Sequence, residues 1–370
     1  MRVLHAAFTV HPEPGIIQQM TWENQAASEL GVAWDARVYT QTCDTDYGEV
    51  VVPATGAVTD QGAGVLGRIK RWVRLRIGFY RWLAHTSADY DVLLLRHTTC
   101  DLFRASFIKK SKIPVFSVHH TLEVPELEIC SGLEGRLRSA AEAKLGLRSI
   151  RAAAGIIAVT EEIRAYELRR VTNQRWSFVY PNGVIWEKEE GQDRKHEGNS
   201  TVIPQILFVA STFVPWHGLD LLLDDIETHR EKFVLHLVGR LAPLDEYRAR
   251  KDPRIINHGV LTQGEIRNLY KQCSIGLSSF ALERKGMQEA CTLKVREYLS
   301  VGLPVYSGHT DVFPQSFPFY RTGKASMRSI LEFERSVRGE SRLDIAEQAR
   351  RYIDKRYLLE GLHKELSRLF

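Results

Sequence analysis

Short apolar segments alternate with segments of helical spacing along most of the sequence, and this alternation constrains the fold more than any other feature. In the first half the apolar segments are residues 3–10, 91–95, 113–118 and 155–159. Each is followed by a turn and then by a helical pattern, which is the repeating unit of a doubly wound α/β domain. In such domains ligands bind where the strands end at their carboxyl side.

The opening unit and the second half of the sequence follow the same pattern. Residues 3–10 predict a strand, residues 11–16 a loop, and residues 22–30 a helix that Gly31 ends. The polar run 187–200, rich in charge and glycine, predicts a linker between two domains. Beyond it, four more segments predict strands, at residues 205–210, 233–240, 254–260 and 275–279.

Length, charge and cysteine content set broad limits on function. A chain of 370 residues suggests about two domains, and none of its apolar runs reaches the roughly 20 residues of a membrane span. The N-terminal segment lacks the long apolar region of a signal peptide. A formal charge of +5, with no recognised nucleic-acid motif, argues against nucleic acid as a partner. The five cysteines are scattered, odd in number and without zinc-like spacing, which favours a cytoplasmic location.

The stretch 285–306 carries the clearest functional signal. Its residues 293–301 have helical spacing, and Gly302 then ends the helix shortly before a new apolar strand. Thr292, which can cap this helix, and Lys294 stand at its start. Unpaired backbone N–H groups and the helix dipole attract phosphate at such a position, and Lys294 adds a full positive charge. The sequence therefore predicts a phosphate-binding turn here.

Two carboxylates flank this predicted phosphate site. Glu297 lies about one turn into the helix and can accept two hydrogen bonds from a ribose diol. Glu289 precedes the turn and is expected on the other side of the phosphates. This arrangement indicates a nucleotide-sugar site, with one carboxylate for the ribose and the other for the transferred sugar. The alternative is an ordinary amphipathic helix with a surface pair of glutamates.

These residues resemble the donor-binding signature of retaining GT-B glycosyltransferases, in particular the large group called family 4, or glycosyl transferases group 1. The resemblance implies two Rossmann-like domains that face each other across a cleft. It also implies an N-terminal acceptor domain over residues 1–185, on which a C-terminal helix at about 352–370 packs, and a nucleotide-sugar domain over residues 200–351. The matching residues are Glu289, Thr292, Leu293, Lys294, Glu297, Gly302, Pro304 and Val305.

The same resemblance implies site residues in the first domain. Gly15 matches the glycine of the first loop, where family members bring backbone close to the donor phosphates, although the commoner Gly-Gly pair is absent. Family members also carry a histidine, often followed by threonine, in the loop after a later strand. His120 and Thr121 are the better match, with His119 as a neighbour. His120 and Glu289 are therefore the expected catalytic residues.

In the second domain the resemblance is less complete at the diphosphate. The family usually shows Gly-Arg and, a few residues on, a lysine after the first strand, whereas this chain has Ser211 and Thr212 and then His217. Ser211 and Thr212 can still donate hydrogen bonds, and His217 can donate more weakly than lysine when neutral. Arg240 is a candidate for the missing charge. The loop at Val260 matches a loop that lines the base pocket through backbone groups.

Residues 65–84 form a basic helix without an acidic residue. Wound at 100° per residue, one side carries Val65, Ile69, Trp72, Val73, Ile77, Tyr80 and Leu83, and the other carries Arg68, Lys70, Arg71, Arg74 and Arg81. Arg76 is an exception on the apolar side. Such a helix suits an anionic membrane surface, and also suits a core-packed helix with a solvated basic face. We expect Arg68, Lys70, Arg71 and Arg74 to contact the membrane.

The predicted function is transfer of a sugar from a nucleotide diphosphate sugar, UDP- or GDP-linked, to a glycan or lipid-linked glycan in bacterial-type surface polysaccharide assembly. The family resemblance implies retention at the anomeric carbon. No convincing Asp-x-Asp motif is present, so neither a metal nor another cofactor is expected. The expected location is the cytoplasm, peripheral on the inner face of the membrane. A nucleotide-sugar epimerase of the same fold and a non-catalytic nucleotide-sugar or glycan-binding protein remain the alternatives.

Overall fold

The structure, a computed structural model, describes residues 1–41, 48–54, 64–130, 132–171, 176–188 and 203–370. The side chains of Val65, Leu66, Arg68 and Cys130 also lie outside the description. The predicted linker at 187–200 therefore falls largely outside the described residues, as does the side chain of Arg68. Within the described ranges, every helix is too short or too polar to cross a membrane.

The chain divides into two compact units, each built on one parallel sheet. Unit 1 comprises Met1–Ile185 and Lys355–Phe370, and unit 2 comprises Trp186–Asp354. In both sheets the first strand of the unit lies in the interior, and the chain winds first to one side of it and then to the other. This is the doubly wound arrangement, so the predicted fold class of two Rossmann-like domains is confirmed.

The sheet of unit 1 has seven strands in the order β3-β2-β1-β4-β5-β6-β7. Its central strands are buried on both faces, which explains why they read as continuous apolar runs. The strands are β1 (Val3–Phe8), β2 (Trp34–Thr40), β3 (Val51–Pro53), β4 (Val92–Arg96), β5 (Val115–His119), β6 (Gly155–Ala158) and β7 (Trp176–Val179). The helices of unit 1 are α1 (Pro14–Leu30), α2 (Val65–Thr86), α3 (Arg104–Lys110), α4 (Glu123–Cys130), α5 (Gly132–Ala152), α6 (Glu161–Arg169) and, after unit 2, α13 (Lys355–Ser367).

The sheet of unit 2 has six strands in the order β10-β9-β8-β11-β12-β13. The strands are β8 (Gln205–Thr212), β9 (Val234–Arg240), β10 (Ile255–Asn257), β11 (Ile275–Leu277), β12 (Val305–Ser307) and β13 (Tyr320–Thr322). The helices are α7 (Leu219–Thr228), α8 (Pro243–Lys251), α9 (Gln263–Gln272), α10 (Leu293–Ser300), α11 (Met327–Val337) and α12 (Arg342–Ile353). All strand pairs of this sheet are parallel, so the loops after their carboxyl ends lie along one edge.

The first helix begins earlier than the sequence predicted. Residues 11–16 were expected to form a loop, but α1 starts at Pro14, so that Gly15 lies in its first turn. Proline is favourable at the first helical position because its missing N–H would be unpaired there in any case. Ile17 and Met20 then bury the helix against the sheet. Gly31 ends the helix in the left-handed conformation, as predicted.

The buried face of α2 matches the predicted apolar side only in part: Tyr80 and Leu83 are buried as predicted. Leu75 and Phe79 point into the core of unit 1, whereas Ile69 is 52% exposed. Arg76, the exception in the helical pattern, is buried. Its Nη1 donates to Asp101 Oδ2 at 3.0 Å, and its guanidinium stacks on Phe8, 4.2 Å from the ring centroid. An ion pair with a distant residue thus turns the helix relative to the orientation that apolar residues alone would favour.

A buried group of charged residues attaches α13 to the first elements of unit 1. Glu23 on α1 accepts from Trp34 Nε1 and contacts His5 Nδ1 at 2.7 Å. Lys355, the first residue of α13, places its Nζ 3.7 Å from Glu23 Oε1 and 4.5 Å from the ring centroid of Tyr180. Burial opposes ionisation of Glu23, but its contacts outweigh burial and lower its pKa to about 2. The carboxylate therefore stays charged at neutral pH.

Candidate functional site

The carboxyl edge of the unit 2 sheet brings four of the predicted donor residues together. Thr212 pairs with Arg240 across β8 and β9, and Ser211 and Thr212 are both exposed beside a bulge. Gly239 has a φ of +126°, and a Cβ on it would lie 1.7 Å from the carbonyl oxygen of Ala210, so only glycine fits between these strands. Its N–H donates to Gly259 O, which brings exposed Val260 next to Arg240.

His217 lies in the loop after β8, at the end of a short 3-10 helix. Its Nδ1 accepts a hydrogen bond from the backbone N–H of Val214 at 3.0 Å, so in the neutral ring the proton is on Nε2. Burial and the positive charge of Lys294 lower the pKa of His217 to about 3. At neutral pH this side chain is therefore an uncharged donor through Nε2–H.

Lys294 has a buried ammonium group and a lowered pKa, both unusual for lysine. Its Nζ is buried and has no hydrogen-bond partner among the described residues. The ammonium lies 5.4 Å from the ring centroid of Phe208, a weak partner for a full charge. Burial lowers its pKa to about 8, although Glu297 acts in the opposite direction. A buried ammonium without a hydrogen-bond acceptor is costly, which indicates a site preorganised for an anion.

Thr292 does not cap α10 in the way the sequence suggested. It occupies the N-cap position with extended backbone, but its side chain makes no capping hydrogen bond. Its Oγ1 is instead buried without a partner in the described part of the chain. The hydroxyl of Thr292 and the ammonium of Lys294 are thus two unsatisfied donors, both at the N-terminus of an eight-residue helix, where backbone N–H groups also favour anions.

Glu297 lies one turn further along α10 and is largely buried. Its Oε2 accepts a hydrogen bond from the hydroxyl of Tyr270 at 3.2 Å. Burial raises its pKa, although the Tyr270 hydrogen bond, Arg267 and Lys294 each lower it. Tyr270 was not identified from the sequence, because only the packing of α9 against α10 brings the two side chains together. The contact holds the carboxylate in one orientation.

Glu289 is held by its backbone to the loop after β12. It forms a parallel bridge with Thr310, Ala290 N–H donates to Thr310 O, and Thr310 N–H donates to Gln288 O. Glu289 is half-exposed and makes a further contact within the protein. The polar turn that the sequence placed before α10 is therefore a fixed strand-like segment.

An ion pair in the core of unit 2 supports this segment. Arg296 on α10 donates from Nη2 to Asp311 Oδ1 at 2.6 Å, and both side chains are fully buried. Asp311 directly follows Thr310, so the pair ties the Glu289 segment to the helix that carries Lys294 and Glu297. No local pattern in the sequence indicates this pair, because its partners are fifteen residues apart.

Unit 2 also contains a cavity of about 950 Å³ between α7 and the loops after β11 and β12. Its lining includes Asp224, Asp225, Phe280, Met287 and Lys324, with His309 and Thr310. None of the donor residues predicted from the sequence lines this cavity. The lining does include Gln288, which precedes Glu289, and Thr310, which pairs with it, so the cavity adjoins the Glu289 segment.

In unit 1, His120 follows β5 and is the more accessible of two adjacent histidines. Its Nε2 lies 2.9 Å from Arg96 Nη1. Arginine can only donate, so in the neutral ring Nε2 accepts and Nδ1 carries the proton. Burial, followed by the charge of Arg96, holds the pKa of His120 well below its usual value. His120 is thus a neutral hydrogen-bond donor at the carboxyl edge of the sheet, and Arg96, at the end of the apolar run 91–95, is its unpredicted partner.

His119, the residue before His120, belongs to a buried ionic cluster. Its Nδ1 lies 3.0 Å from Glu123 Oε1 and 4.0 Å from Glu167 Oε1. One nitrogen of His119 and one oxygen of each glutamate, the atoms that could bind a metal ion, lie within 4.8 Å of one another. Arg170 donates to both oxygens of Glu167. Burial opposes protonation of His119, but the two carboxylates outweigh it and raise its pKa. Arg170 balances one carboxylate and a proton on His119 balances the other, so we interpret the cluster as structural.

The remaining predicted residues lie on the surface of unit 1. Gly15 is exposed in the first turn of α1 rather than in a loop. On α2, Lys70 and Arg74 are exposed, and Arg71 is half-exposed. These placements leave the predicted donor role of Gly15 and the predicted membrane role of α2 open to test.

Comparison with known proteins gives a family match for part of unit 2. Residues 203–315 match the sequence profile of the family described as Glycosyl transferases group 1. This segment includes every predicted donor residue of unit 2. A search of curated proteins found no match.

Solved structures resemble the chain over its full length. The apo form of the lipopolysaccharide outer core galactosyltransferase WaaB has 13% identity and a TM-score of 0.67, with 100% of both chains covered. HepE from Anabaena, in complex with UDP and glucose, has 13% identity and a TM-score of 0.64 over 98% of this chain and 99% of that one. Sucrose-phosphate synthase from Thermosynechococcus elongatus has 13% identity and a TM-score of 0.66 over 100% and 99%.

At this level of identity, the structural likeness shows the fold alone. The family match is confined to unit 2 and covers the segment that carries the unsatisfied donors at the start of α10. The chain therefore has the GT-B fold, and residues 203–315 of it match the model of the family described as Glycosyl transferases group 1.

Proposed function

We propose that the protein is a retaining, metal-independent glycosyltransferase that moves a sugar from a nucleotide diphosphate sugar to a glycan or lipid-linked glycan. The pathway we propose is bacterial-type surface polysaccharide assembly. One observation carries the proposal: the Lys294 ammonium is buried without a hydrogen-bond partner among the described residues, at the N-terminus of α10. A diphosphate leaving group supplies the missing negative charge.

The residues along the unit 2 sheet edge would bind different parts of the donor. Lys294, the Thr292 hydroxyl and the Nε2–H of His217 would stabilise the charge that develops on the leaving diphosphate in the transition state. Glu297, oriented by Tyr270, would accept the ribose hydroxyls. Glu289 would hold hydroxyls of the transferred sugar. WaaB is a galactosyltransferase by name, and the HepE structures contain UDP, glucose or UDP-glucose, which supports a UDP-linked donor.

In unit 1 we assign His120 to the transferred sugar and acceptor. It is neutral at working pH and donates through Nδ1–H, so it would orient a hydroxyl rather than remove its proton. Gly15 would bring backbone near the donor, and the basic face of α2, including Arg68, Lys70, Arg71 and Arg74, would contact an anionic membrane on the cytoplasmic side.

The nucleotide assignment is tested by replacing Glu297 with alanine. We expect the variant to bind UDP or GDP about tenfold to a hundredfold more weakly, because a carboxylate hydrogen bond of about 1.5 to 3 kcal/mol to the ribose is lost. Isothermal titration measures the affinity, and Glu265→Ala, an exposed glutamate on α9, is the matched control. Wild-type affinity in Glu297→Ala would remove the ribose role. Release of epimerised free sugar from donor alone would instead favour an epimerase.

Nucleotide affinity is also expected to depend on pH through Lys294. The charged ammonium binds diphosphate, and its pKa in the empty site is about 8. Affinity for UDP should therefore be constant from pH 7 to about 8 and should fall by up to about tenfold per pH unit above it, until the raised pKa of the complex is reached. Titrations across this range in Lys294→Met should give a flat profile. A flat profile in the wild type would show that Lys294 does not contact the phosphates.

A further inference from the structure

Five large apolar side chains of unit 1 are exposed in one region. Leu133 is 76% exposed, Leu137 65%, Leu102 63%, Ile69 52% and Ile129 46%. Single exposed apolar residues are ordinary on protein surfaces, but a contiguous group of them marks an interaction site.

Contacts between the elements that carry these residues bring the corresponding segments together. Leu133 and Leu137 are one turn apart on α5, so they share a side of that helix. The segment just before Leu102 lies on α5, because Cys100 Sγ is 3.4 Å from Arg138 O. The segment just after it lies on α2, because the rings of Phe103 and Trp72 are 6.2 Å apart.

Ile129 completes the group from the neighbouring helix. It lies in the last turn of α4, and Leu133 lies in the first turn of α5. The two helices pack together, with Ser139 Oγ donating to Val124 O at 3.0 Å. We name these five residues, Ile69, Leu102, Ile129, Leu133 and Leu137, the apolar patch.

The apolar patch lies at the carboxyl edge of the unit 1 sheet. Leu102 is in the loop that leaves β4, and α4 begins in the loop that leaves β5. The chain enters β4 from the end of α2, so the start of α2, with Ile69, is at the same edge. His120 follows β5 directly. The patch and the proposed acceptor residue therefore share one edge of the sheet.

The charges around the patch decide between possible partners. Lys70 and Arg74 on α2, and Arg136 and Arg138 on α5, are exposed. Acidic residues are fewer: Glu128 on α4 and Glu134 on α5 are exposed, and the sequence of α2 contains none. A second copy of the chain would bring two basic faces together. An apolar surface framed by arginine and lysine instead fits a lipid surface with anionic headgroups.

We propose that the apolar patch inserts into the headgroup and upper acyl region of an anionic bilayer, and that the acceptor is consequently anchored in that bilayer and reaches His120 from it. The inference rests on the proposed transferase function and names its acceptor class. It also assigns membrane binding to leucine insertion, with the basic face of α2 adding attraction at long range.

The experiment compares vesicle binding of wild type with Leu133→Gln/Leu137→Gln. The probes are vesicles of phosphatidylglycerol with phosphatidylcholine, and of phosphatidylcholine alone, in sedimentation assays. Wild type should bind the anionic vesicles, and a measurable part should persist at about 1 M salt, where charge attraction is screened within about 3 Å. The double variant should bind about tenfold more weakly at low salt and lose the salt-resistant part.

Controls separate insertion from other causes. Leu244→Gln removes a leucine of unit 2 that is 68% exposed and should bind vesicles like the wild type. Lys70→Gln/Arg74→Gln should weaken binding at low salt and leave the salt-resistant part. Three results would overturn the proposal. The wild type does not bind vesicles, the leucine variant binds them as well as the wild type does, or Leu244→Gln loses as much binding as the leucine variant.

The same preparations test the transferase assignment separately. The leucine variant should bind UDP or GDP like the wild type, because unit 2 is unchanged. Loss of turnover on a bilayer-anchored acceptor, with nucleotide affinity retained, supports the inference. Equal turnover by both proteins on that acceptor contradicts it. If the wild type binds vesicles through the leucines but binds no nucleotide, the proposed function is refuted, whereas the proposal that the apolar patch inserts into the membrane still holds.

Discussion

Replacing Lys294 with methionine is expected to lower kcat/KM for donor turnover by about two to three orders of magnitude. The methionine keeps an apolar stem near Phe208 but removes the one buried ammonium at the start of α10 that lacks a partner among the described residues. Loss of a single preorganised donor at a developing anion typically costs about this much. Steady-state kinetics with the nucleotide sugar identified by titration measures the effect.

The same substitution should not destabilise the empty protein. Burial lowers the pKa of Lys294 from 10.5 to about 8, which means that the charged form is disfavoured by roughly 3 kcal/mol in the folded state. Methionine avoids this cost, so Tm should be unchanged or higher while activity is lost, the pattern expected when stability and function conflict. Lys271→Met, at an exposed lysine on α9, is the control and should change neither quantity. Full activity in Lys294→Met would exclude a role for its charge.

Replacing Lys355 with methionine should have the opposite signature, a loss of stability. The change removes the lysine charge beside buried Glu23 and leaves His5 as its remaining charge partner, and removing one partner of a buried ion pair typically costs about 3 to 5 kcal/mol. Urea unfolding followed by tryptophan fluorescence should show the decrease in the transition of unit 1. Lys364→Met removes an exposed partner on the same helix and should cost less than about 1 kcal/mol.

A second substitution and a pH series test the electrostatic origin of this loss. Glu23→Gln combined with Lys355→Met should recover part of the lost stability, because no charge is then left unpaired. The pKa of Glu23 is lowered from 4.5 to about 2, so its contribution is present above pH 4.5 and is lost as the pH falls through about 2. Equal losses in the single and double variants would show that packing, not charge, is responsible.

The sequence predicted the elements whose signals are local. Helix α10 begins and ends where Thr292 and Gly302 indicated, because a cap position and a left-handed glycine act within one turn. The strand–helix alternation similarly predicted both doubly wound domains. Lys294 and His217 were each proposed from the sequence to bind the diphosphate, and the positive charge of Lys294 contributes to the lowered pKa of His217.

Features that depend on distant partners were not predictable. The orientation of α2 follows from the Arg76 pair with Asp101, and the position of the Glu289 segment from Arg296 and Asp311. The unused capping hydroxyl of Thr292 also had no local signal, since both capped and uncapped forms fit the same residues. For the two ion pairs, the sequence shows each residue but not its partner, which only the tertiary structure identifies.

The route of the chain through its two units has a consequence for biosynthesis. Unit 1 includes α13, which the ribosome makes only after all of unit 2. Until α13 emerges, Glu23 lacks one of its two charge partners, the ammonium of Lys355, and the apolar residues that α13 covers remain exposed to solvent. Unit 2 has no such requirement and can complete its core first. During translation we therefore expect unit 2 to finish folding before unit 1, although synthesis of unit 1 begins first.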